Sequence, residues 1–291
     1  MAIEQRTPTA TRETTSRGAV HLSMALAVMA FAAGCLTFFG GFLVGPEVMQ
    51  GSARGTALMM FLVAAPALFL AARRTLQGSM RWLFVWGGMS MFLVYNSFML
   101  LTGTPINRLF LLYVATFSLA LATMIAVARS VDVRAVAQRC SPAMRARPIA
   151  VYLGATVVLN VLAWLARIVP STVSDQMPGL VEGMGIATVP TYLQDLAFWL
   201  PLIAVGAWQL WHRWPWGYVI SGAALAFWTL EAATVAVDQW FGHRADPLSD
   251  VASDAVVVPF AALAVITAVV FWSFLRHVAD DPGSVTPAPP S

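Results

Sequence analysis

The sequence contains no lysine and only two cysteines, and charged residues make up 11% of its 291 positions. All 17 basic residues are therefore arginines, which excludes any mechanism that needs a lysine Schiff base. Cys35 lies in an apolar stretch and Cys140 in a basic one, so we expect the thiols at different depths and not in a disulfide. No Cys-x-x-Cys pair occurs, which argues against a membrane thiol oxidoreductase.

Motifs for metals, phosphates and hydrolysis are also missing. The four histidines are scattered along the chain, and neither a His-Glu-x-x-His motif nor a Gly-rich phosphate loop is present. No Ser, His and acid follow a pattern typical of an intramembrane serine hydrolase. We therefore predict no metal and no cofactor, and we favour a protein that is not an enzyme while leaving that question open. The net charge of +3 gives no reason to expect nucleic acid as a partner.

What the sequence has in excess is apolar residues, at 59%, against about 45–50% in soluble domains. A bilayer core of about 30 Å needs roughly 20 apolar residues per helix. Eight segments satisfy this requirement and predict an all-α, polytopic transmembrane bundle. The predicted helices cover about 20–45, 56–72, 82–102, 107–128, 148–169, 191–211, 216–238 and 254–275.

The arginines alternate between the loops that join these segments. One set of loops and both termini hold Arg6, Arg12, Arg17, Arg73, Arg74, Arg81, Arg129, Arg134, Arg139, Arg145, Arg147, Arg213 and Arg276. The other set holds only Arg54, Arg108, Arg167 and Arg244. Cytoplasmic loops are rich in Arg and Lys. We therefore predict a multi-pass protein of the plasma membrane with both termini in the cytoplasm.

The two ends of the chain have a composition that cannot form a core. Residues 1–19 and 279–291 are predicted to be disordered cytoplasmic tails that flank a transmembrane domain at 20–278. Ala32-Ala33-Gly34-Cys35 resembles a lipoprotein cleavage site, but the apolar run continues through Leu43. A retained first helix is the favoured interpretation.

The second to fourth and the sixth to eighth segments share a layout. Each trio opens with a proline-containing helix, at Pro66 and Pro201, followed by a tight basic turn and a helix with an early glycine. Aligning Gly87 with Gly222 places Asn96 opposite Glu231. The similarity of side chains is weak, so a 4+4 repeat and coincidence both remain open. A repeat of this kind would be parallel, related by an axis along the membrane normal.

Ionisable residues inside membrane helices are costly and often mark function. Such residues gather in the later helices, and we expect them to form an outward-facing acidic cleft that Arg108 and Arg167 border. The acids are Asp195, Glu231 and Asp238, and the polar neighbours expected to join them are Tyr95, Asn96 and Asn160. A carboxyl group in mid-helix suits a proton, a cation or a small polar ligand. The alternative is that the charges form interhelix ion pairs and interface anchors.

Several motifs resemble those of a family of uncharacterised bacterial polytopic membrane proteins. The resemblance covers about residues 56–225. It rests on the loop Arg74-Thr75-Leu76-Gln77-Gly78-Ser79, the pair Tyr95-Asn96, the run Asn107-Arg108-Leu109-Phe110-Leu111-Leu112-Tyr113-Val114, Asp195 with Leu200-Pro201, and Arg213 to Tyr218. The loop departs from the family's Arg-Gly-Ser pattern. The resemblance implies no activity, but it adds Asn107 and Tyr113 to the candidate site residues.

Together these features favour a transporter or permease-like protein that handles a small polar solute or cation. The alternative is a non-catalytic sensor or assembly subunit that binds a lipid or protein partner. The bilayer is the one partner that the composition predicts directly, and no feature identifies a protein partner. The candidate ligand-binding residues are Tyr95, Asn96, Asn107, Arg108, Tyr113, Asn160, Asp195, Glu231 and Asp238.

Overall fold

The computed structural model describes residues 8–174, 181, 184, 186 and 188–280, with side chains from residue 17 onward. This part of the chain is helical, and its single β-bridge joins Cys140 to Val278. The helices are α1 (Pro8–Phe39), α2 (Glu47–Leu76), α3 (Met80–Thr102), α4 (Phe110–Ser130), α5 (Val133–Arg139), α6 (Ala146–Ser174), α7 (Pro190–Trp211), α8 (Pro215–Ala245) and α9 (Asp254–Leu275). The prediction of an all-α bundle is confirmed.

Eight of these helices, all except the short α5, are long and apolar enough to cross a membrane. The protein is therefore a multi-pass membrane protein. Helix α2 differs from its predicted bounds, because it begins at Glu47 and not near residue 56. Polar residues in its first turns lower the local hydropathy, but Gly51 and Gly55 pack directly against α8 there. Tertiary contact, which hydropathy does not register, extends this helix.

Helix α1 also differs from its predicted bounds at both ends. It begins at Pro8, so it includes much of the segment predicted as a disordered tail, and residues 1–7 lie outside the described part. It ends at Phe39, before residue 45, because Gly41 adopts a positive φ of 64° that breaks the helix. Most of the predicted C-terminal tail, from residue 281 on, lies outside the described residues.

One end of the bundle, which we call the Arg-rich face, gathers the C-terminal segment, the α2–α3 turn and the region around α5. The N–H of Ala279 donates to the carbonyl of Arg139 at 2.9 Å, and Arg81 Nε donates to the carbonyl of Val278 at 2.9 Å. Arg213, in the α7–α8 turn, donates to Met144 O at 2.9 Å. Alternate connections therefore meet at one end, as expected for helices that run up and down.

The opposite end, the Arg-poor face, holds the remaining connections. Gly45, before α2, lies against Pro105, which follows α3. The N–H of Ser253, before α9, donates to Gln239 of α8 at 3.0 Å. Asp195 lies in the second turn of α7 from this face, and Asp238 lies in the last third of α8 before it.

The α2–α3 and α7–α8 hairpins share unusual backbone features at one constant offset. Pro66 and Pro201 are 135 positions apart (201 minus 66). Each proline follows a π-helical segment, Met60–Ala64 in α2 and Asp195–Trp199 in α7, and these segments start 135 positions apart as well (195 minus 60). A proline ring clashes with the carbonyl four residues earlier in an ideal α-helix, and the wider π turn accommodates it.

The two turns at the Arg-rich face repeat the same hydrogen bonds at this offset. The amides of Gln77, Gly78 and Ser79 donate to the carbonyls of Arg73, Thr75 and Arg74, and those of His212, Arg213 and Trp214 donate to Trp208, Leu210 and Gln209. Gly78 and Arg213 both have positive φ, of 96° and 57°. The two hairpins therefore have the same local backbone structure. Both have their turn at the Arg-rich face, so they run in the same direction, as a parallel repeat requires.

Helices α3 and α8, one from each hairpin, pack against each other at the centre of the bundle. A Cβ atom added at Gly88 would lie 2.5 Å from Ala226 Cβ and 2.7 Å from Ala223 O, so only glycine permits this approach. The outer helices follow the repeat only in part: α1 packs against α2 as α6 packs against α7, but the packing of α1 against α4 has no equally extensive equivalent between α6 and α9 among the described residues. The correspondence is thus incomplete outside the hairpins, and a full 4+4 repeat stays a prediction.

Candidate functional site

The central polar contact joins α3 to α8 through Asn96 and Glu231. Asn96 is 1% exposed, and its Nδ2 donates to Glu231 Oε2 at 2.7 Å and to the carbonyl of Phe92 at 3.2 Å. The two residues are also 135 positions apart (231 minus 96), so they hold equivalent places in the two hairpins. The contact therefore lies where the hairpins meet, and only one of the two equivalent side chains is an acid.

A second buried acid, Asp195, is the first residue of the π segment in α7. It is 9% exposed, and its Oδ2 accepts a hydrogen bond from Trp164 Nε1 of α6 at 2.9 Å. The hydroxyl of Tyr95, next to Asn96 in α3, is a further hydrogen-bonding neighbour of this carboxyl. Three helices thus supply the surroundings of Asp195.

The third acid, Asp238, lies two turns beyond Glu231 on α8. Its Oδ2 accepts a hydrogen bond from Thr56 Oγ1 of α2 at 2.9 Å. A Cβ at Gly55 would lie 2.6 Å from Asp238 Oδ1, so the glycine lets α2 approach the acid closely. Asp238 Oδ1 is buried and has no hydrogen-bond partner among the described residues.

Asp195, Glu231 and Asp238 form a series of carboxyl groups, which we call the carboxyl series. Glu231 lies close enough to each of the other two acids for their charges to interact. Their described hydrogen-bond donors, Asn96, Thr56, Trp164 and Tyr95, are all neutral. The ion pairs that the described residues form lie elsewhere, between Arg81 and Asp280 and between His243 and Asp254.

Burying a carboxylate without a counter-charge is expensive, so such a group takes up either a proton or a cation. The carboxyl series has three acids and, within the described chain, no arginine or histidine paired with them. Chemically, the series can accept and release protons or bind a cation. It offers no nucleophile paired with a base.

Two aromatic side chains, Tyr95 and Trp164, are hydrogen-bonding neighbours of Asp195, and each packs against further rings in a group of its own. We call the two groups together the aromatic cluster. Toward the bundle interior, the ring centroid of Trp199 lies 6.1 Å from that of Tyr95 and 5.5 Å from that of Phe227. Toward the bundle edge, Trp164 and Tyr192 lie 4.8 Å apart. Tyr95 and Trp199 are buried, whereas Trp164 and Tyr192 are partly exposed. The cluster therefore extends from the interior to the edge around one carboxyl group.

Four of the predicted site residues make no described hydrogen bond to the carboxyl series. Asn107 stabilises the α3–α4 loop by accepting a hydrogen bond from the N–H of Leu109 at 2.8 Å. Tyr113 is buried with its hydroxyl 2.8 Å from Thr37 Oγ1 of α1. Asn160 donates to the carbonyl of Thr156 in its own helix at 2.9 Å. Arg108 is exposed in the loop.

The structure thus brings together Tyr95, Asn96, Asp195 and Glu231, with Asp238 next in the series. Arg167, expected beside Arg108 at the border of the cleft, is exposed on α6, and neither arginine pairs with an acid among the described residues. In the same part of the chain, no three His, Cys, Asp or Glu side chains are grouped closely enough to hold a metal ion.

Sequence reasoning missed several residues that contact the site. Thr56 and Trp164 supply hydrogen bonds to Asp238 and Asp195. Gln194 accepts a hydrogen bond from Trp199 Nε1 at 3.1 Å and so holds that ring. A single threonine or tryptophan in an apolar segment carries no signal of this kind. The partial signal was Gly55 beside Thr56, since a small residue marks close helix packing.

Comparison with known proteins adds no relative from which a role can be transferred. The chain matches no protein-family model, no curated protein sequence and no solved structure. The class of the protein therefore follows from its own structure. It is a multi-pass helical membrane protein with a buried carboxyl series where two similar hairpins meet.

Proposed function

We propose that the protein is a carrier that moves a cation or a small polar solute across the membrane, with the carboxyl series as its cation- or proton-accepting path. The observation that carries this proposal is the burial of Asp195, Glu231 and Asp238 among neutral donors, with no described counter-ion. Acids kept inside a membrane without a permanent partner need a transient one, and a proton or a cation meets that need.

The two hairpins support the same proposal. Parallel repeats with interrupted helices are common in carriers, and their sites lie at the repeat interface near the bilayer midplane. Here the Asn96–Glu231 contact lies between the hairpins, and each hairpin has a π segment before its proline. Such segments are frequent at functional sites because they disturb the regular helical hydrogen bonding.

We also propose that the Arg-rich face lies in the cytoplasm of a plasma membrane, following the positive-inside rule. The carboxyl series would then open toward the outer side, because Asp195 and Asp238 lie nearer the Arg-poor face.

A second candidate function, a membrane sensor or assembly subunit, is favoured by the pairing of the polar groups. Asn96 is bonded to Glu231, and Asn160 donates to its own helix, so the described hydrogen bonds of both amides are made within the protein. A carrier must open this contact during its cycle, whereas a sensor need not.

The test uses purified protein in liposomes that contain a pH-sensitive dye, given an imposed pH step or a gradient of NaCl or KCl. We expect the protein to change the internal pH faster than empty liposomes do. Glu231→Gln, which keeps the shape of the side chain and removes its acid, should abolish the change. Asp250→Asn, at an exposed acid in the α8–α9 loop, is the matched control and should retain it. Traces equal to those of empty liposomes under every gradient would favour the sensor.

A further inference from the structure

We infer that Asp195 and the aromatic cluster form a binding site for a small organic cation of the alkylammonium class. This inference deepens the proposed function and rests on it for its role in transport, but the binding itself is independent. The carboxyl group supplies the counter-charge. An alkylated ammonium has few or no N–H groups to donate hydrogen bonds, and the faces of aromatic rings attract it instead. The site lies beside Glu231, the middle member of the carboxyl series.

The π segment brings the charge and one ring to the site. Asp195 is its first residue and Trp199 its last. Tyr95 from α3 and Phe227 from α8 lie against Trp199, with their ring centroids 5.5 Å apart. The inner group of rings therefore comes from three helices, and Tyr95 links it to the carboxyl group that α7 provides.

The outer part of the cluster gives the cation a path that does not cross the bundle core. Trp164 and Tyr192 are partly exposed at the edge between α6 and α7, and Trp164 bonds directly to Asp195. A cation that reaches this pair meets aromatic faces before it meets the carboxyl. Aromatic faces attract cations strongly where water is excluded.

The chemistry of the lining discriminates against inorganic cations. Ions such as Ca²⁺ and Mg²⁺ require six or more oxygen ligands, supplied by several carboxylates, carbonyls and waters. The hydrogen-bonding neighbours of Asp195 are N–H and O–H donors on aromatic side chains, and the Trp164 N–H is a donor with no acceptor capacity. The next carboxyl group, Glu231, is bonded to Asn96, so the site favours a single, bulky, weakly hydrated positive charge.

The π segment of the other hairpin lacks both the acid and the tryptophan of this arrangement. The residues equivalent to Asp195 and Trp199 at the 135-position offset are Met60 and Ala64, the ends of the other π segment. The same backbone feature is therefore present twice, but the acid and the ring occur once. Helix architecture alone does not require Asp195, which is the expectation for a residue that serves a ligand.

Binding is tested by isothermal titration of the purified full chain with choline, with sodium chloride and with 3,3-dimethyl-1-butanol, the uncharged isostere of choline. We expect saturable binding of choline and none of the other two. Asp195→Asn should weaken choline binding at least tenfold. Tyr95→Leu, which removes one ring face, should weaken it about fivefold.

Two controls separate a binding defect from a folding defect. Asp195→Glu keeps the charge and should keep most of the choline affinity. Trp240→Phe alters an exposed tryptophan that packs against Phe241 and Arg244, outside the aromatic cluster, and should keep all of it. Each variant is first compared with the parent protein by its melting temperature. If Asp195→Asn does not fold, Tyr95→Leu decides the question.

The outcomes distinguish this inference from the proposed function. Equal binding of choline and its uncharged isostere, or choline binding unchanged in Asp195→Asn, overturns the organic-cation site. Glu231-dependent ion flux without choline binding overturns the site and leaves the carrier intact. Choline binding that needs Asp195, in a protein without any flux, supports the site and overturns the carrier.

Discussion

The α2–α3 and α7–α8 hairpins have nearly the same backbone and very different side chains. Both contain a π segment before a proline, a turn with the same three hydrogen bonds, and a positive φ at the second turn residue. At equivalent places, however, Met60 faces Asp195 in the alignment, Ala64 faces Trp199, and Asn96 faces Glu231. The backbone features therefore do not depend on the acids.

This difference separates the backbone features that the two hairpins share from the acidic side chains that only one of them has. A helix interruption that occurs in both hairpins serves packing or movement, and it can exist beside an apolar Met60. The acids occur only in the second hairpin, where they have a cost in stability and no described counter-ion. The first hairpin contributes neutral donors to these acids, Thr56 from α2 and Asn96 from α3. The second hairpin thus carries the acids, and the first hairpin supplies hydrogen bonds to them.

The largest effect is expected from a substitution that breaks the contact between the hairpins. Gly88→Ala places a methyl group 2.5 Å from Ala226 Cβ and 2.7 Å from a backbone oxygen, so α3 and α8 must separate. We expect a loss of about 1–3 kcal/mol of stability, measured by denaturation in detergent. Gly87→Ala is the control, because its new methyl meets only Ala223 Cβ at 3.1 Å. Equal effects of the two substitutions would refute the close packing at Gly88.

The next prediction tests the positive φ that the α2–α3 turn shares with the α7–α8 turn. Gly78 has a φ of 96°, so Gly78→Ala should cost about 1–2 kcal/mol although nothing lies within 4 Å of the new atom. Gly154, inside α6, also has open space around it, and Gly154→Ala should be neutral or stabilising because alanine favours helices. The measurement is the melting temperature. An unchanged value for Gly78→Ala would mean that the turn is not held in the left-handed conformation.

A smaller effect concerns the support that the first hairpin gives to the acids. Thr56→Val removes the hydroxyl that donates to Asp238 and should cost about 1 kcal/mol. Thr123→Val is the matched control, since Thr123 is fully buried and its hydroxyl has no described partner. Chemical denaturation of both variants measures the difference. If Thr123→Val is as costly as Thr56→Val, the hydrogen bond to Asp238 has no special value.

The smallest expected effect comes from releasing the C-terminal segment, which is anchored to the α2–α3 turn at the Arg-rich face. Asp280 accepts hydrogen bonds from Ser79 Oγ at 3.0 Å and the N–H of Arg81 at 3.1 Å, and so holds the C-terminal segment over the first turn. Val278 in that segment bridges Cys140, and burial raises the pKa of the Cys140 thiol to about 12. The thiol should therefore react slowly with maleimide at neutral pH.

Releasing the C-terminal segment should expose that thiol. Asp280→Ala is expected to increase the labelling rate of Cys140, measured by mass spectrometry in a Cys35→Ala background. Asp250→Asn, at an exposed acid on the opposite face, should leave the rate unchanged. A rate that stays the same in Asp280→Ala would show that the segment covers Cys140 without this anchor.

The sequence predicted what depends on local composition. Eight apolar runs predicted eight spanning helices, because hydropathy within one segment decides whether it suits a bilayer. The offset that aligned Gly87 with Gly222 also placed Asn96 opposite Glu231, and these two residues are hydrogen-bonded. In a parallel repeat, equivalent residues near the axis can meet, so the alignment contained part of the site.

The contacts that could not be predicted from the sequence depend on which face each helix turns toward the bundle and on how closely the helices pack. Thr56 and Trp164 reach the acids only because α2 and α6 turn those faces inward. Arg108 and Arg167 were expected to border a cleft; both are exposed, and neither pairs with an acid among the described residues. The first turns of α2 belong to the helix through contact with α8, at Gly51 and Gly55. Period and hydropathy carry no information about such contacts.

The most direct measurement is a double-mutant cycle on the two equivalent residues. Asn96→Glu and Glu231→Asn are compared with the exchange variant Asn96→Glu/Glu231→Asn, each by its free energy of unfolding in detergent and by its ion flux in liposomes. Equivalent positions between similar hairpins should let amide and acid trade places. We therefore predict that each single substitution costs about 1 kcal/mol, that the exchange variant recovers most of it, and that its flux returns. Additive losses in the exchange variant would contradict the shared architecture of the hairpins and the role of their contact.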